Sequence, residues 1–193
     1  MTRLVLASGS PQRRAILGDL GLDFEVRASD VAEEDEGEPR VVASENALRK
    51  ALAVAEAAGD GADELVLGCD TLVATELKIW GKPADEAAAR ETLRRLSGRT
   101  HEVVSGVALV RRGDVRAATE ITHVTFRELD ERTIDWYIST GEWDGRAGGY
   151  AIQGRGAVLV RRIEGDYLNV VGLPVAALLE LQPELLRDFA ATA

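Results

Sequence analysis

The chain has 193 residues, 46% hydrophobic and 29% charged, and a formal net charge of −10. That is enough apolar chain for a proper core, as one domain or two joined lobes, and it excludes a disordered polypeptide. The acidic balance excludes a sequence-independent grip on DNA or RNA, which needs many cations. The one cysteine, Cys69, leaves no internal disulfide, and with neither a leader-like segment nor a bilayer-length apolar run a cytoplasmic location is expected.

In chain order, a short apolar strand (Leu4, Val5, Leu6) runs into Ser8-Gly9-Ser10-Pro11, and a helix follows that stops at Gly21. Ser10 suits the capping position and Pro11 the first helical turn. Free amides at that helix start, the hydroxyls of Ser8 and Ser10, and Arg13 and Arg14 beside them form a seat for phosphate oxygens. The same residues also suit an ordinary capped helix with solvated arginines. Asp23 to Arg27 alternates around Phe24 and Val26 and predicts a strand. An acidic loop comes next, with Asp30, Glu33, Glu34, Asp35, Glu36 and Glu38 inside nine residues, and such runs are commonly plain solvated surface. Pro39 then opens a long helix reaching about Ala58. On its wheel Lys50 lies among Ala43, Asn46, Ala47, Val54 and Ala57, either as a cation turned toward the body of the protein or as a stem snorkelling over alanines.

A turn is expected at Gly59–Asp63, then a buried strand from Leu65 to Leu67 that continues into Gly68 and Cys69 and ends at Asp70. A carboxylate at that depth needs a cap, a partner or a metal. Leu72 to Ile79 reads as a second extended segment, closed by Trp80-Gly81-Lys82-Pro83; Lys82, fixed between glycine and proline, suits a positioned cation, and equally an ordinary loop lysine. A helix follows over Asp85–Leu96, then a hairpin of Glu102–Arg112 and Val115–Arg127 turning at Gly113-Asp114, its first strand apolar on both faces and therefore central. His101 and His123 have no partner at metal-ligand spacing and take structural roles. Asp130 caps a helix containing Ile134, Trp136, Tyr137 and Ile138. The stretch Glu142–Gly154 carries four glycines, and Arg146, Tyr150 and Gln153 supply a charge, a ring and an amide there. Ala157 to Ile163 predicts another core strand, and Pro174 opens a final helix. Helices interleaved with strands indicate a mixed α and β fold.

Taken together, in order and spacing, several of these signals resemble one family, the Maf-like nucleotide pyrophosphatases, over nearly the whole chain. The matching residues are Ser8-Gly9-Ser10-Pro11-Gln12-Arg13-Arg14, Glu33, Lys50-Ala51, Gly68-Cys69-Asp70-Thr71, Gly81-Lys82-Pro83, Ser97-Gly98 with His101, Ala147 to Gly154, and Val171-Gly172-Leu173-Pro174. The resemblance implies a single domain over residues 1–193, an α/β architecture with an elongated mixed sheet flanked by helices. It also implies two lobes with a cleft between them, similar to the inosine triphosphate pyrophosphatases. The implied reaction is hydrolysis of a nucleoside triphosphate between its α and β phosphorus atoms, giving the monophosphate and pyrophosphate. Thr71 after Asp70, and Gln153 in the later motif, look like the branch acting on dTTP and UTP; the branch preferring 7-methyl-GTP typically has glutamine and glutamate at those places. Gln12 stands where family members often have arginine, and Arg146 where lysine is common, so both bear on nucleotide choice.

That reaction assigns Glu33 and Asp70 to a divalent ion, Mg²⁺ or Mn²⁺, and Asp70 to the attacking water, with Glu33 and Lys82 sharing the catalytic work. Ser8, Ser10, Arg13, Arg14, Lys50 and Lys82 would hold the triphosphate and the leaving pyrophosphate. Gln12, Thr71 and Gln153 would set specificity, Gln153 by pairing its amide with the base. A nucleoside triphosphate is the expected partner, with no nucleic acid polymer and no membrane, and a homodimer follows from the resemblance. The competing expectation, also attached to the family, is a nucleotide-binding regulator of cell division or septum formation in which hydrolysis is incidental.

Overall fold

The computed structural model describes residues 3–59, 63–76 and 78–185. Its centre is a seven-stranded mixed sheet. Strand β1 (Arg3–Leu6) lies parallel between β2 (Phe24–Val26) and the long β3 (Glu64–Thr75). The other side of β3 pairs antiparallel with β5 (Thr100–Arg111), then come β6 (Asp114–Phe126) and β7 (Val160–Glu164). The β5–β6 hairpin turns on Arg112-Gly113, one residue earlier than expected, because Arg111 pairs with Asp114 and both turn residues take positive φ, the geometry that matches strand twist.

The separate strands expected on either side of Asp70 are one strand. Asp70 sits in the middle of β3, not at its end, and β5 pairs continuously from Val66 to Ala74. The interruption lies on the opposite edge of β3. There β1 pairs with Glu64–Leu67, and β4 (Lys78–Trp80) pairs with Val73–Thr75, which leaves residues 68–72 without a strand neighbour on that side. A sheet with a gap in one row of strands has a notch, and the chain leaving β1 and the chain leaving β4 both run into it.

Side chains alternate along β3, so its two faces carry different loads. One face holds Val66, Gly68, Asp70 and Leu72 under the helix α2 (Pro39–Ala58), with Val5, Ala47, Ala51, Val54 and Ala108 packed between. Helix and sheet come unusually close. A Cβ on Gly68 would lie 2.1 Å from the carbonyl oxygen of Ala47, and one on Gly106 of β5 would lie 2.2 Å from that of Ala43, so only glycine permits the contact.

The other face carries two apolar clusters. Leu65, Leu67 and Cys69 pack with α1 (Pro11–Asp19) and α6 (Val175–Leu181), while Val73 packs with α3 (Glu86–Leu96) and α4 (Glu131–Ser139). Thr71 of β3 and Ser105 of β5, whose hydroxyls are 2.8 Å apart, fall between the two clusters. Short α5 (Tyr167–Val171) is fixed there by buried Asn169, which donates to the carbonyl of Val103 and to Thr122.

The expected strand at Ala157–Ile163 is a 3-10 turn over Gly154–Leu159 followed by β7. As the last strand, pairing only with β6, β7 is mostly exposed, so it is an edge strand and not a core one. The turn expected at Gly59–Asp63 lies partly outside the described residues. Among the described residues no helix is long and apolar enough to cross a membrane.

Candidate active site

The notch opens into a cleft of about 630 Å³. From one side the chain leaving β1 brings Ser8, Ser10, Gln12 and Arg13; from the other, the chain leaving β4 brings Lys82; Asp70 and Thr71 form the floor. Seven charged side chains line it, cations Arg13, Lys50, Lys82 and Arg146 against carboxylates Glu33, Asp70 and Glu142. A chain with a net charge of −10 therefore keeps a slight cationic excess here, which suits an anionic ligand.

Asp70 is 4% exposed. Its Oδ1 accepts from Lys50 Nζ at 2.7 Å and its Oδ2 from Asn46 Nδ2 at 2.9 Å, both donors standing on α2 one turn apart. The close approach at Gly68 is what brings that helix face within reach. Lys50 also donates to Glu33 Oε1 at 2.5 Å, and Lys82 Nζ is 3.6 Å from Glu33 Oε2. Burial works to raise the pKa of Glu33, but the hydrogen bond from Lys50 and the charges of Lys50, Lys82 and Arg13 outweigh it and hold the carboxyl below its ordinary range. Asn46 fastens the acidic loop as well, accepting from the Glu34 amide and donating to the Glu34 carbonyl, each at 2.9 Å.

Across the sheet Arg13 is buried and fully directed. Its Nε donates to the Gly172 carbonyl at 2.9 Å, Nη1 to Ser8 Oγ at 2.8 Å and Nη2 to Thr71 Oγ1 at 3.2 Å. All three partners are neutral, and no carboxylate pairs with Arg13 among the described residues. A buried guanidinium without a counter-ion, facing a cleft, is a site prepared for an anion.

Ser10 stands at the N-terminal cap of α1 but does not cap it; its hydroxyl donates to Gln12 Oε1 at 3.1 Å. The expected cap is absent, so no side-chain bond from Ser10 occupies the first amides of the helix. Arg14 is exposed and does not line the cleft, unlike the other residues assigned from the sequence. Gln153 lines the far wall, exposed, between Ile152 and Gly154.

Behind that wall His101 is buried, bonded through Nε2 to the Tyr150 hydroxyl at 2.8 Å and packed edge-on against Phe126. Burial pushes its pKa down to about 4, so it is a neutral structural group. His123 is half-exposed and faces Glu102 at 3.4 Å. The residue reading overlooked Asn46 as a partner of Asp70, although its place one turn before Lys50 put it on the same helix face. It also overlooked Glu142, whose side-chain hydrogen bonds among the described residues all come from main-chain amides.

Comparison with known proteins follows the same lines. A family model described as Maf-like protein matches residues 3–185. A dTTP/UTP pyrophosphatase from Bacillus cereus is 46% identical over 181 residues, covering 92% of this chain and 93% of the relative. A dTTP/UTP pyrophosphatase from Pyrococcus furiosus is 45% identical over 183 residues, covering 94% of each. Among solved structures, a nucleoside-triphosphatase / dITP/XTP pyrophosphatase from Mycobacterium abscessus aligns with 66% of this chain and 76% of its own at 20% identity, with a TM-score of 0.48. Matched across almost all of its length by the family model and by relatives well above the threshold of chance likeness, the chain belongs to the Maf-like protein family.

Proposed function

We propose that this protein is a nucleoside triphosphate pyrophosphatase that cleaves the α–β phosphoanhydride of dTTP and UTP, releasing the monophosphate and pyrophosphate. The observation that carries the reading is Arg13, buried, held by three neutral oxygens and facing the same cleft as Asp70 and Lys82. The names of the relatives supply the nucleotides.

Glu33 and Asp70 fit a divalent ion. Their oxygens already converge on a single cationic atom, Lys50 Nζ, at 2.5 and 2.7 Å. Among the described residues no three of His, Cys, Asp and Glu come together, so an ion there would complete its shell with water and phosphate oxygens, the habit of Mg²⁺. When bound, it would neutralise phosphate charge and polarise the scissile phosphoryl group. Asp70 uses one lone pair on Lys50 and one on Asn46 and keeps two, enough to hold and deprotonate a water aimed at the α-phosphorus. Arg13 and Lys82 stand on the two sides of the cleft to neutralise the negative charge gathering on the departing pyrophosphate. Ser8 and the first amides of α1 add hydrogen bonds, and Gln153 reads the base. A cytoplasmic location and a dimeric state belong to the same reading.

The test is pyrophosphate release from dTTP, UTP, CTP, GTP, ITP and 7-methyl-GTP with Mg²⁺, with Mn²⁺ and with neither. Turnover of dTTP and UTP that requires the ion is the expected result. A protein that binds these nucleotides tightly and releases no pyrophosphate from any of them overturns it in favour of the regulator.

A further inference from the structure

Gln153 occupies the capping position of the 3-10 turn over Gly154–Leu159, yet its side chain makes no capping bond. The amides it would otherwise serve go to a distant carboxylate. Glu142, on the turn after α4, accepts from the Arg155 amide at 3.2 and 3.0 Å with its two oxygens and from the Gly156 amide at 3.1 Å. The passage is narrow: a Cβ on Gly154 would lie 3.0 Å from the Glu142 carboxylate, at a φ of +67° that L side chains rarely adopt. On the other side of Gln153 the Ala151 amide donates to the Tyr137 hydroxyl at 3.1 Å, and Tyr150 is tied to His101. Both flanks of the short loop are thus held by side chains from elsewhere, and the amide of the residue between them, which lines the cleft, has no hydrogen-bond partner among the described residues.

We infer that Glu142 is the positioning residue for nucleotide selection. It caps the turn in place of Gln153 and so fixes the backbone from which Gln153 meets the base. A carboxylate bound to two main-chain amides keeps its charge satisfied while lying in a cleft for an anion, which a free carboxylate there would oppose. Glu142 itself reads nothing; it acts through Gln153.

This inference rests on the role given to Gln153 above, and a double-mutant cycle on product binding keeps the two separable. Dissociation constants for dTMP and CMP are measured on the wild type, Glu142→Ala, Gln153→Ala and the double variant, with wild-type turnover of dTTP followed beside them. Glu142→Ala is expected to reduce the preference for dTMP over CMP by about tenfold, the size of one lost polar contact, and to add nothing further once Gln153 is alanine. A purely structural loss would lower affinity for both nucleotides equally and add to the effect of Gln153→Ala, and either result overturns the inference. Should Glu142→Ala not fold, the cycle is run with Glu142→Gln, which retains one acceptor and is expected to show a smaller loss of the same coupled kind. Absent turnover by the wild type counts against the proposed reaction alone, because the binding cycle still decides the role of Glu142.

Discussion

Arg27 and Lys50 each bridge two carboxylates, one at the rim of the sheet and the other inside the cleft. Arg27 makes two 2.6 Å bonds to Glu64 at the start of β3 and two, of 2.7 and 3.3 Å, to Glu25 on β2, clasping the strands on either side of β1. Donating to those carboxylates raises the pKa of the guanidinium further, and all three side chains remain partly in water. Lys50 makes a single bond to Glu33 and a single bond to Asp70, and both it and Asp70 are buried. The forked guanidinium saturates its partners in fixed geometry, while the ammonium leaves carboxylate lone pairs open to a ligand. One bridge is a clasp between strands; the other holds reactive groups ready in a place where an unpaired charge would be expensive.

Removing charge from the buried bridge should have the largest consequence. Asp70→Asn preserves the shape and one acceptor for Lys50 while abolishing the base, and pyrophosphate release is expected to fall by about 10²–10⁴-fold. Turnover assayed next to a thermal melt separates lost chemistry from lost fold, and wild-type turnover in this variant would break the assignment of Asp70.

Acid sharpens the comparison by separating the bridges from the core behind them. His101 has its pKa lowered from 6.5 to about 4 by burial. Between those values the unfolded chain binds a proton that the folded chain refuses, so stability falls as pH drops from 6.5 to 4, by at most about 3 kcal/mol. Below that range this group has no further effect. Glu33 acts in the same sense in a lower window, since its lowered pKa contributes stability above about 4.5 that is lost as pH falls through its folded value. Urea midpoints at pH 7, 5.5 and 4.5 should therefore decline early in the wild type. In His101→Gln the decline should be confined to the acid end.

A smaller effect is expected from the packing that sets the buried bridge in place. Gly68→Ala puts a Cβ 2.1 Å from the Ala47 carbonyl oxygen, which must push α2 off the sheet. We expect a loss of about 1–3 kcal/mol in urea denaturation, with reduced turnover as Asn46 and Lys50 draw back from Asp70. Gly18→Ala on α1, where nothing lies within 4 Å, is the control and should cost no stability.

These sites differ in how much of them the sequence reveals. The hairpin, α2 and α3 are legible because their cues are local: a Gly-Asp turn between apolar runs, a starting proline, an alanine-rich run stopped by Ser97-Gly98. Asp70 was misread as a strand end because a charge inside an apolar run looks like a boundary. The cause of its position, the exchange of β1 for β4 along one edge of β3, depends on strands far away in sequence. Ser10 and Gln153 both stand where a cap belongs and neither caps, whereas Glu38, Asp85 and Asp130 do so at α2, α3 and α4. Spacing identifies such positions but not whether the side chain is used. Gathering Glu33, Lys50, Asp70 and Lys82 into one cleft came from the family resemblance, since no periodicity links four residues on four separate segments. Glu142 left no trace, because its partners are amides that every residue possesses.

Breaking the clasp at the rim should matter least. Arg27→Met removes the charge, retains much of the stem, and leaves Glu25 and Glu64 with less positive charge between them, Arg3 of β1 still pairing with both. Ion pairs that keep contact with water stabilise little, so the thermal midpoint should move by no more than about 3 °C at low salt. Half-molar salt screens both the lost attraction and the new repulsion, and the gap to wild type should narrow. Dissociation constants for dTMP should be unchanged, since none of the three residues lines the cleft. A large, salt-insensitive loss would mean that the clasp carries the register of β1 between its neighbours, and the contrast with Lys50 would then be one of location alone.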